Sequence, residues 1–254
     1  MKNPTNRFKA TLKKRHQLGI WNTIGGNSIP ELLGGAGFDW VLVDCEHAAI
    51  ETIEVLPALQ AIAANPSTSA VVRLAANDPV LFKRVLDMGA QTLMVPYVQT
   101  VEEAERAVAA MHYGPVGIRG MAGMTRATRY GHIGDYFQVA SEELCLILQV
   151  ETAKGLENLD DIAQLPGVDA IFIGPADLSA SMGFPGQMHH PEVVATIKAA
   201  IERLKKLGVP VGFMALDPVA AQGYIDQGVD FTAVGVDMVL LAESVAKLRD
   251  RFAP

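Results

Sequence analysis

This chain lacks long apolar runs and an excess of positive charge, and it contains few cysteines. No apolar stretch approaches the roughly 20 residues of a membrane-spanning helix, so no membrane span is expected. Only 2 cysteines occur in 254 residues, which excludes a disulfide framework and predicts reduced thiols. Because 21 lysines and arginines face 28 acidic residues, neither nucleic acid nor an anionic membrane is an expected partner.

Aromatic residues are also sparse, whereas aliphatic residues are abundant. Hydrophobic residues make up 50% of the chain and aromatic residues only 6%. This balance is typical of buried parallel strands packed against helices and excludes extensive disorder. Residues 1–17 are basic but lack the apolar segment of a secretory signal, so a cytoplasmic protein is expected. The length suits one eight-stranded β/α barrel, which predicts a single domain over residues 1–254.

Short apolar runs alternate with amphipathic segments along the whole chain. The runs that predict strands are Leu18–Trp21, Trp40–Asp44, Ala70–Leu74, Thr92–Pro96, Leu144–Val150, Ala170–Ile173, Val209–Met214 and Phe231–Val234. The segments that predict helices are Ile53–Ala64, Pro79–Met88, Val101–Met111, Leu156–Leu165, Val193–Leu207, Pro218–Gln227 and Val239–Phe252. This order predicts an α/β fold, the closed (β/α)8 or TIM barrel, with an extra N-terminal helix that caps it.

An open, doubly wound parallel sheet is the alternative architecture for the same alternation. It would need a glycine-rich phosphate turn after the first strand, and Gly25-Gly26-Asn27 is a poor match. The longest irregular stretch, Tyr113–Gln138, follows the fourth strand. A loop of that length in a compact barrel is usually functional.

Polar residues follow several of the predicted strands, where the active site of such a barrel lies. They are Asp44, Glu46 and His47 after strand two, Arg73 in strand three, Gln149 and Glu151 at strand five, Asp177 after strand six and Asp237 after strand eight. A single acid at a strand end is commonly a helix cap. An arginine inside an apolar strand, in contrast, costs several kcal/mol unless an anionic group meets it. These residues together predict a catalytic site.

Glu151 and Asp177 belong to neighbouring strands and are expected roughly 5 Å apart. Two carboxylates at that distance repel each other unless one is protonated or a cation lies between them. No further histidines stand nearby to complete a zinc site. Mg²⁺ or Mn²⁺ with water ligands is therefore expected, with Co²⁺ as a further candidate. A 2-oxo acid can chelate such an ion through a carboxylate oxygen and its keto oxygen.

At these residues the chain resembles a known family, the HpcH/HpaI aldolases. These are class II pyruvate aldolases, typified by 4-hydroxy-2-oxoheptanedioate aldolase and 2-dehydro-3-deoxyglucarate aldolase. The matching segments are DCEHAAIE at Asp44–Glu51, VVRLA at Val71–Ala75, LDMGAQTLMVPYV at Leu86–Val98, GIRG at Gly117–Gly120, LQVETAKGLEN at Leu148–Asn158 and FIGPADLSASMG at Phe172–Gly183. One departure is Tyr113-Gly114-Pro115, where the family often has Tyr-Pro-Pro.

The resemblance implies reversible aldol cleavage of 4-hydroxy-2-oxo acids, through a metal-bound enolate, to pyruvate or hydroxypyruvate plus an aldehyde. It implies that Glu151 and Asp177 bind the metal and that Arg73 binds the keto oxygen and stabilises the enolate. Gln149 would contact the substrate, and the backbone N–H groups of Ala176 and Asp177 would bind its carboxylate.

The base implied by the resemblance is His47, acting through a water molecule. Asp44, beside it at the strand end, is also expected to be a catalytic residue. The family pattern assigns Asp87 to raise the basicity of the histidine, but Asp87 is expected at the opposite end of its own barrel. It could reach His47 only across a subunit interface. The family is known to form hexamers, trimers of dimers, with active sites near subunit contacts.

Other functions are compatible with parts of this pattern. A Schiff-base aldolase needs a lysine inside the barrel, whereas every lysine here falls in the N-terminal arm, a helix or a loop. A sugar-acid-specific 2-keto-3-deoxy acid aldolase, a CoA-ester lyase of the malyl-CoA type and a non-catalytic keto-acid sensor are further alternatives. The apolar positions Val239, Leu240, Val245 and Leu248 of the last helix suit either barrel packing or subunit exchange.

Overall fold

A closed barrel of eight parallel strands forms the centre of the computed structural model, which describes residues 1–252. Each strand pairs with the next along the chain, and β8 closes the barrel against β1. The strands are β1 Gln17–Asn22, β2 Trp40–Asp44, β3 Ser69–Arg73, β4 Thr92–Val95, β5 Cys145–Val150, β6 Ala170–Ile173, β7 Val211–Met214 and β8 Phe231–Val236. The predicted (β/α)8 barrel is therefore confirmed, and the open-sheet alternative is wrong.

Helices separate the strands and cover the outside of the barrel. They are α1 Arg7–Thr11, α2 Ser28–Gly35, α3 Thr52–Ile62, α4 Pro79–Asp87, α5 Val101–Met111, α6 Tyr136–Val139, α7 Ala153–Glu157, α8 Leu159–Ala163, α9 Pro175–Ser181, α10 Pro191–Lys206, α11 Pro218–Asp226 and α12 Asp237–Asp250. A short 3₁₀ turn spans Ala140–Glu143. Across residues 1–252, no helix has both the length and the apolar character to cross a membrane.

Four of the eight strands are buried along their whole length. Every residue of β2, β4, β5 and β6 is shielded from solvent. Strands covered on both faces are mostly apolar, which is why they could be recognised from the sequence. Because β2 and β3 pair in parallel, with Asp44 opposite Arg73, their ends lie side by side.

The N-terminal end of the barrel is closed by an aromatic floor formed by Phe8, Trp40 and Phe231. The ring of Phe8 lies edge-on to both others, with centroid distances of 6.1 Å to Trp40 and 5.3 Å to Phe231. Gly19 and Gly212 make room for these rings, because a β-carbon at either position would overlap Trp40 or Phe231. Since Phe8 belongs to α1, the predicted N-terminal helix that caps the barrel is confirmed.

The helices differ from the sequence prediction in two places. The segment Leu156–Leu165 forms two short helices, α7 and α8, because Asn158 leaves helical geometry at φ −95° and ψ 8°. Helix α2 was not predicted, since Pro30, Gly34 and Gly35 disfavour a helix in isolation. It forms because Pro30, Leu33 and Gly34 are buried, so tertiary packing outweighs weak local propensity.

Helix α12 has an exposed apolar face in the single chain. Its side chains at Val239, Leu240, Val245 and Leu248 are 38%, 49%, 57% and 57% exposed. Of the residues in α12, Asp237 is the buried one. These four side chains are therefore only partly covered by their own barrel.

Candidate active site

A bidentate ion pair joins the ends of β2 and β3. Arg73 donates from Nε to Asp44 Oδ1 at 2.9 Å and from Nη2 to Oδ2 at 2.7 Å. Both residues are buried, with Asp44 1% and Arg73 6% exposed. Burial opposes ionisation of Asp44, but hydrogen bonds and charge from Arg73 hold the pKa of this carboxyl below its usual value. The structure thus supplies the anionic partner that the sequence required for Arg73.

The loop after β2 places Glu46 and His47 beside this pair. Asp44 Oδ1 accepts hydrogen bonds from the backbone N–H groups of Glu46 at 3.0 Å and His47 at 3.3 Å. Glu46 Oε2 lies 2.9 Å from Arg73 Nη1, and Glu46 Oε1 lies 3.8 Å from His47 Nε2. The His47 side chain is 61% exposed. Glu46 therefore connects the buried arginine to a histidine that a substrate can reach.

Glu151, which follows β5, is a buried carboxylate with two donors. Its Oε1 accepts from Tyr97 N at 2.9 Å, and its Oε2 accepts from Gln149 Nε2. Glycine is required at position 174, since a β-carbon there would overlap the Glu151 carboxylate. In the described chain, buried Gln149 Oε1 has no hydrogen-bond partner, so an acceptor atom remains available to a ligand.

Negative charge accumulates around Glu151. Burial raises the pKa of Glu151 to about 7, and the charges of Glu46 and Asp177 contribute to the shift. Burial also raises the pKa of Glu46 from its ordinary value. Such shifts indicate carboxyl groups that share a region with too little positive charge to balance them. A cation placed among them would restore ionisation at neutral pH.

We expect the Glu151→Gln variant, free of metal, to be more stable than the wild type at alkaline pH. Because the folded pKa of about 7 lies above the ordinary value of 4.5, ionising Glu151 destabilises the folded state. This penalty is absent below pH 4.5, grows between the two values and is complete above about pH 7. It amounts to about 3 kcal/mol, which the neutral amide removes.

Denaturant unfolding in the presence of a chelator, at about pH 5 and pH 8, measures this difference. The gain in the free energy of unfolding of Glu151→Gln over the wild type should be small at about pH 5 and large at about pH 8. An equal difference at both values would contradict a raised pKa for Glu151.

Asp177 and Ala176 lie in the first turn of α9, directly after β6. Asp177 is half-buried, and its charge acts on both Glu151 and Glu46. The backbone N–H groups of a first helical turn have no acceptor within the helix. The predicted metal ligand and the predicted carboxylate-binding N–H groups therefore belong to the same turn.

Asp87 lies away from the other predicted site residues. It ends α4, and Arg119 donates from Nη2 to its Oδ1 at 2.8 Å. Helices of this barrel run from the C-terminal ends of the strands back to their N-terminal ends. Asp87 is therefore at the opposite end from His47, as expected from the sequence, and a contact between them requires a second copy.

Three contacts at this end of the barrel were not predicted. Trp21 lies beneath Arg73, with the guanidinium carbon 5.3 Å from its ring centroid. Tyr97 adopts a left-handed φ of 59° as it donates its N–H to Glu151. Asp237 accepts from Asn22 Nδ2 at 2.7 Å and Thr23 N at 2.9 Å, so it braces the loop after β1. The polar character of Asp237 was visible in the sequence, but its partners were not.

All of these residues except Asp87 lie near the carboxyl ends of the strands, where barrels of this kind carry their chemistry. The fold and the site therefore define a (β/α)8-barrel enzyme. Residues 17–244 match the HpcH/HpaI aldolase/citrate lyase family, and the chain belongs to that family.

The similar proteins agree with this membership. The chain is 52% identical over 254 residues to the pyruvate aldolase of Rhizobium etli, covering 100% of both proteins. It is 48% identical over 239 residues to the hydroxypyruvate/pyruvate aldolase of Sagittula stellata, covering 94% of both. A crystal structure of a family member from Burkholderia cenocepacia superposes with a TM-score of 0.93 at 38% identity, covering 98% of this chain and 100% of that one. The chain is therefore an aldolase, a carbon–carbon lyase, and the predicted family and reaction class are confirmed.

Proposed function

We propose that this aldolase catalyses the reversible, metal-dependent addition of a pyruvate or hydroxypyruvate enolate to an aldehyde, forming a 4-hydroxy-2-oxo acid. The names of the Rhizobium and Sagittula relatives support these two donors. The observation that carries the proposal is the buried Glu151, whose pKa of about 7 reflects burial and the neighbouring charges of Glu46 and Asp177. Such a carboxylate is suited to hold a cation against a 2-oxo acid.

Glu151 and Asp177 are the proposed ligands of Mg²⁺ or Mn²⁺, with Co²⁺ as a further candidate. Gly174 leaves room for the Glu151 carboxylate, and the unpartnered Gln149 Oε1 offers a further oxygen beside it, which fits an ion with oxygen ligands at this place. Within residues 1–252, no cluster of three or more Asp, Glu, His or Cys side chains is arranged to bind a metal ion, so a third protein ligand of these types is absent. Water and substrate oxygens would therefore complete the six positions that these ions prefer. When bound, the cation supplies charge that polarises the keto group.

Arg73 is proposed to bind the keto oxygen and to stabilise the negative charge that develops on it. Asp44 and Glu46 hold the guanidinium in place before the reaction begins. A donor fixed in this way needs no reorganisation as charge develops, which is the main source of its catalytic effect. Gln149 is proposed to contact the substrate, and the backbone N–H groups of Ala176 and Asp177 to bind its carboxylate.

His47 is proposed to remove the C3 proton of the donor through an ordered water molecule. Its exposed ring can accept that proton, and Glu46 Oε1, 3.8 Å away, can stabilise the resulting positive charge. Asp44 supports the same loop through its bonds to the backbone of Glu46 and His47. In cleavage the proton moves in the opposite direction, so His47 must act as both base and acid.

We further propose a homohexamer, a trimer of dimers, in which Asp87 of one copy raises the basicity of His47 in another. The apolar face of α12 supports association, because Val245 and Leu248 are each 57% exposed in the single chain. A second copy would remove that face from water. Asp87 lies at the far end of its own barrel, where only another copy could bring His47 to it, so its position is compatible with this arrangement.

The proposed partners are small 2-oxo acids and aldehydes, together with other copies of the chain. A net charge of −7 disfavours nucleic acid and anionic membranes. A cytoplasmic location is also proposed, since Cys45 and Cys145 are both free, as expected of a reducing compartment.

We expect a chelator to abolish aldol cleavage and added Mg²⁺ or Mn²⁺ to restore it. Borohydride plus pyruvate should leave activity unchanged, because no lysine is buried in the described chain to form a Schiff base. Measurements of pyruvate release under each treatment, with borohydride alone as the control, test both points. Inactivation by borohydride only when pyruvate is present would overturn the proposal, as would full activity in the chelator. Cleavage of malyl-CoA would favour the CoA-ester lyase instead.

A further inference from the structure

A cavity of about 290 Å³ lies at the N-terminal end of the barrel. Residues 3–7 of the N-terminal arm form one wall, and residues 89–92, which lead into β4, form a second. The loop residues Arg126, Ala127 and Arg129 line the cavity together with Tyr136. The volume is close to the lower limit for small-molecule pockets, roughly 300 Å³. This cavity is distinct from the candidate active site at the other end of the strands.

The lining of the cavity is strongly positive. Arg7, Arg126 and Arg129 contribute to it, and no aspartate or glutamate of the described chain does. The half-buried Arg126 donates from Nη1 to the backbone oxygen of Met88 at 2.8 Å. None of the three arginines forms an ion pair with a carboxylate of residues 1–252.

Arg126 is half-buried without a carboxylate partner among the described residues, whereas Arg7 and Arg129 are exposed. Burial lowers the pKa of Arg126 from its usual value, and the charge of Arg129 lowers it further. Like charges at a partly buried place repel, and an anion between them would remove both penalties. The charge balance of this cavity therefore favours a bound anion.

The loop that presents Arg129 is held in an unfavourable backbone conformation. Arg129 and Tyr130 both adopt left-handed φ values, 51° and 54°. Thr128, 2% exposed, braces this turn by donating to the backbone oxygen of Gly123 at 2.7 Å and accepting from Gly131 N at 3.1 Å. Non-glycine residues in this region cost on the order of 1–3 kcal/mol each and concentrate at ligand sites.

We infer that this cavity binds a small anion with two or more charged oxygens, a dicarboxylate or a phosphate, through Arg7, Arg126 and Arg129. Guanidinium groups match the oxygens of both classes with pairs of parallel hydrogen bonds. The site shares no residue with Glu151, Asp177 or Arg73 of the same chain, so its test does not require the proposed aldol reaction. An anion bound in this cavity would connect the N-terminal arm to the loop at residues 126–136.

Isothermal titration of the full-length protein with inorganic phosphate, and separately with succinate, tests the inference. Both titrations contain a chelator and are matched in ionic strength with sodium chloride. We expect one of the two anions to bind with a dissociation constant in the millimolar range or tighter. The preferred anion identifies phosphate or carboxylate as the natural ligand chemistry.

The Arg126→Gln variant is expected to weaken this binding at least about tenfold. Arg251→Gln is the matched control, because Arg251 is exposed at the end of α12 and does not line the cavity. Should Arg126→Gln fail to fold, Arg129→Gln, at an exposed residue of the same cavity, gives the same test. Aldol activity of the control should equal that of the wild type.

Three results would overturn the inference. One is the absence of heat beyond that of sodium chloride for both anions. Another is binding that Arg126→Gln and Arg129→Gln leave unchanged, since the anion would then lie elsewhere. The third is a changed oligomeric state in Arg126→Gln without anion binding by the wild type, which would assign the arginines to a subunit contact.

Discussion

The Glu151→Gln variant is expected to lose metal-dependent aldol cleavage, with kcat/KM falling by about 10³-fold or more, or roughly 4 kcal/mol of transition-state stabilisation. The amide keeps the shape of the side chain and its bond from Tyr97 N, but it removes the charge that attracts a cation. Asp177, in the first turn of α9, is the second proposed metal ligand, so Asp177→Asn should lower kcat/KM in the same way. Steady-state kinetics over a range of Mg²⁺ concentrations, together with a Mn²⁺ binding titration, measure both consequences.

Asp230→Asn is the matched control for these variants. Burial raises the pKa of Asp230 as well, and its Oδ2 accepts from Val211 N at 2.8 Å, but it lies before β8 at the opposite end of the barrel. It should therefore retain full activity and Mn²⁺ affinity. If Glu151→Gln bound Mn²⁺ as tightly as the wild type, Glu151 would not be a metal ligand.

The His47→Ala variant is expected to exchange the C3 protons of pyruvate about 10²- to 10⁴-fold more slowly than the wild type. Alanine removes the group that accepts the proton, whereas the backbone bond from His47 N to Asp44 does not depend on the side chain. Mn²⁺ affinity should stay nearly constant, because His47 is not among the proposed ligands. Proton NMR of pyruvate in deuterium oxide follows the exchange directly, without an aldehyde.

His16→Gln is the corresponding control for the histidine. His16 directly precedes β1, and its Nε2 lies 3.0 Å from Oγ1 of Thr232 in β8, where glutamine can keep a hydrogen bond. Exchange in this control should match the wild type. Normal exchange in His47→Ala would remove His47 from the proton-transfer step and leave the metal proposal intact.

The strands could be predicted because burial on both faces forces an apolar run. Trp40–Asp44 and Ala170–Ile173 were predicted with the bounds that the structure has. The ends of β7 and β3 differ by one or two residues, since hydrogen bonding rather than hydrophobicity decides where pairing stops. Helices were less predictable, as α2 shows, because a helix in a barrel is stabilised mainly by packing onto the strands.

The polar residues of the site could be predicted from their place at strand ends, but their contacts could not. Arg73 needed an anion, and the sequence offered several acids without distinguishing Asp44 and Glu46 as its partners. The left-handed Tyr97 leaves no signal in the sequence, because φ there is fixed by the surrounding structure. Contacts of this kind depend on loop conformation, which residue type alone does not determine.

The aromatic floor has a consequence for the order in which the barrel forms. Phe8 belongs to the first helix, whereas Phe231 belongs to the last strand, and their rings meet in the native state. During synthesis, the N-terminal helix therefore lacks part of its docking surface, the ring of Phe231, until nearly the whole polypeptide has been made. Closure of the barrel and seating of this helix must accordingly be late, coupled events in biogenesis.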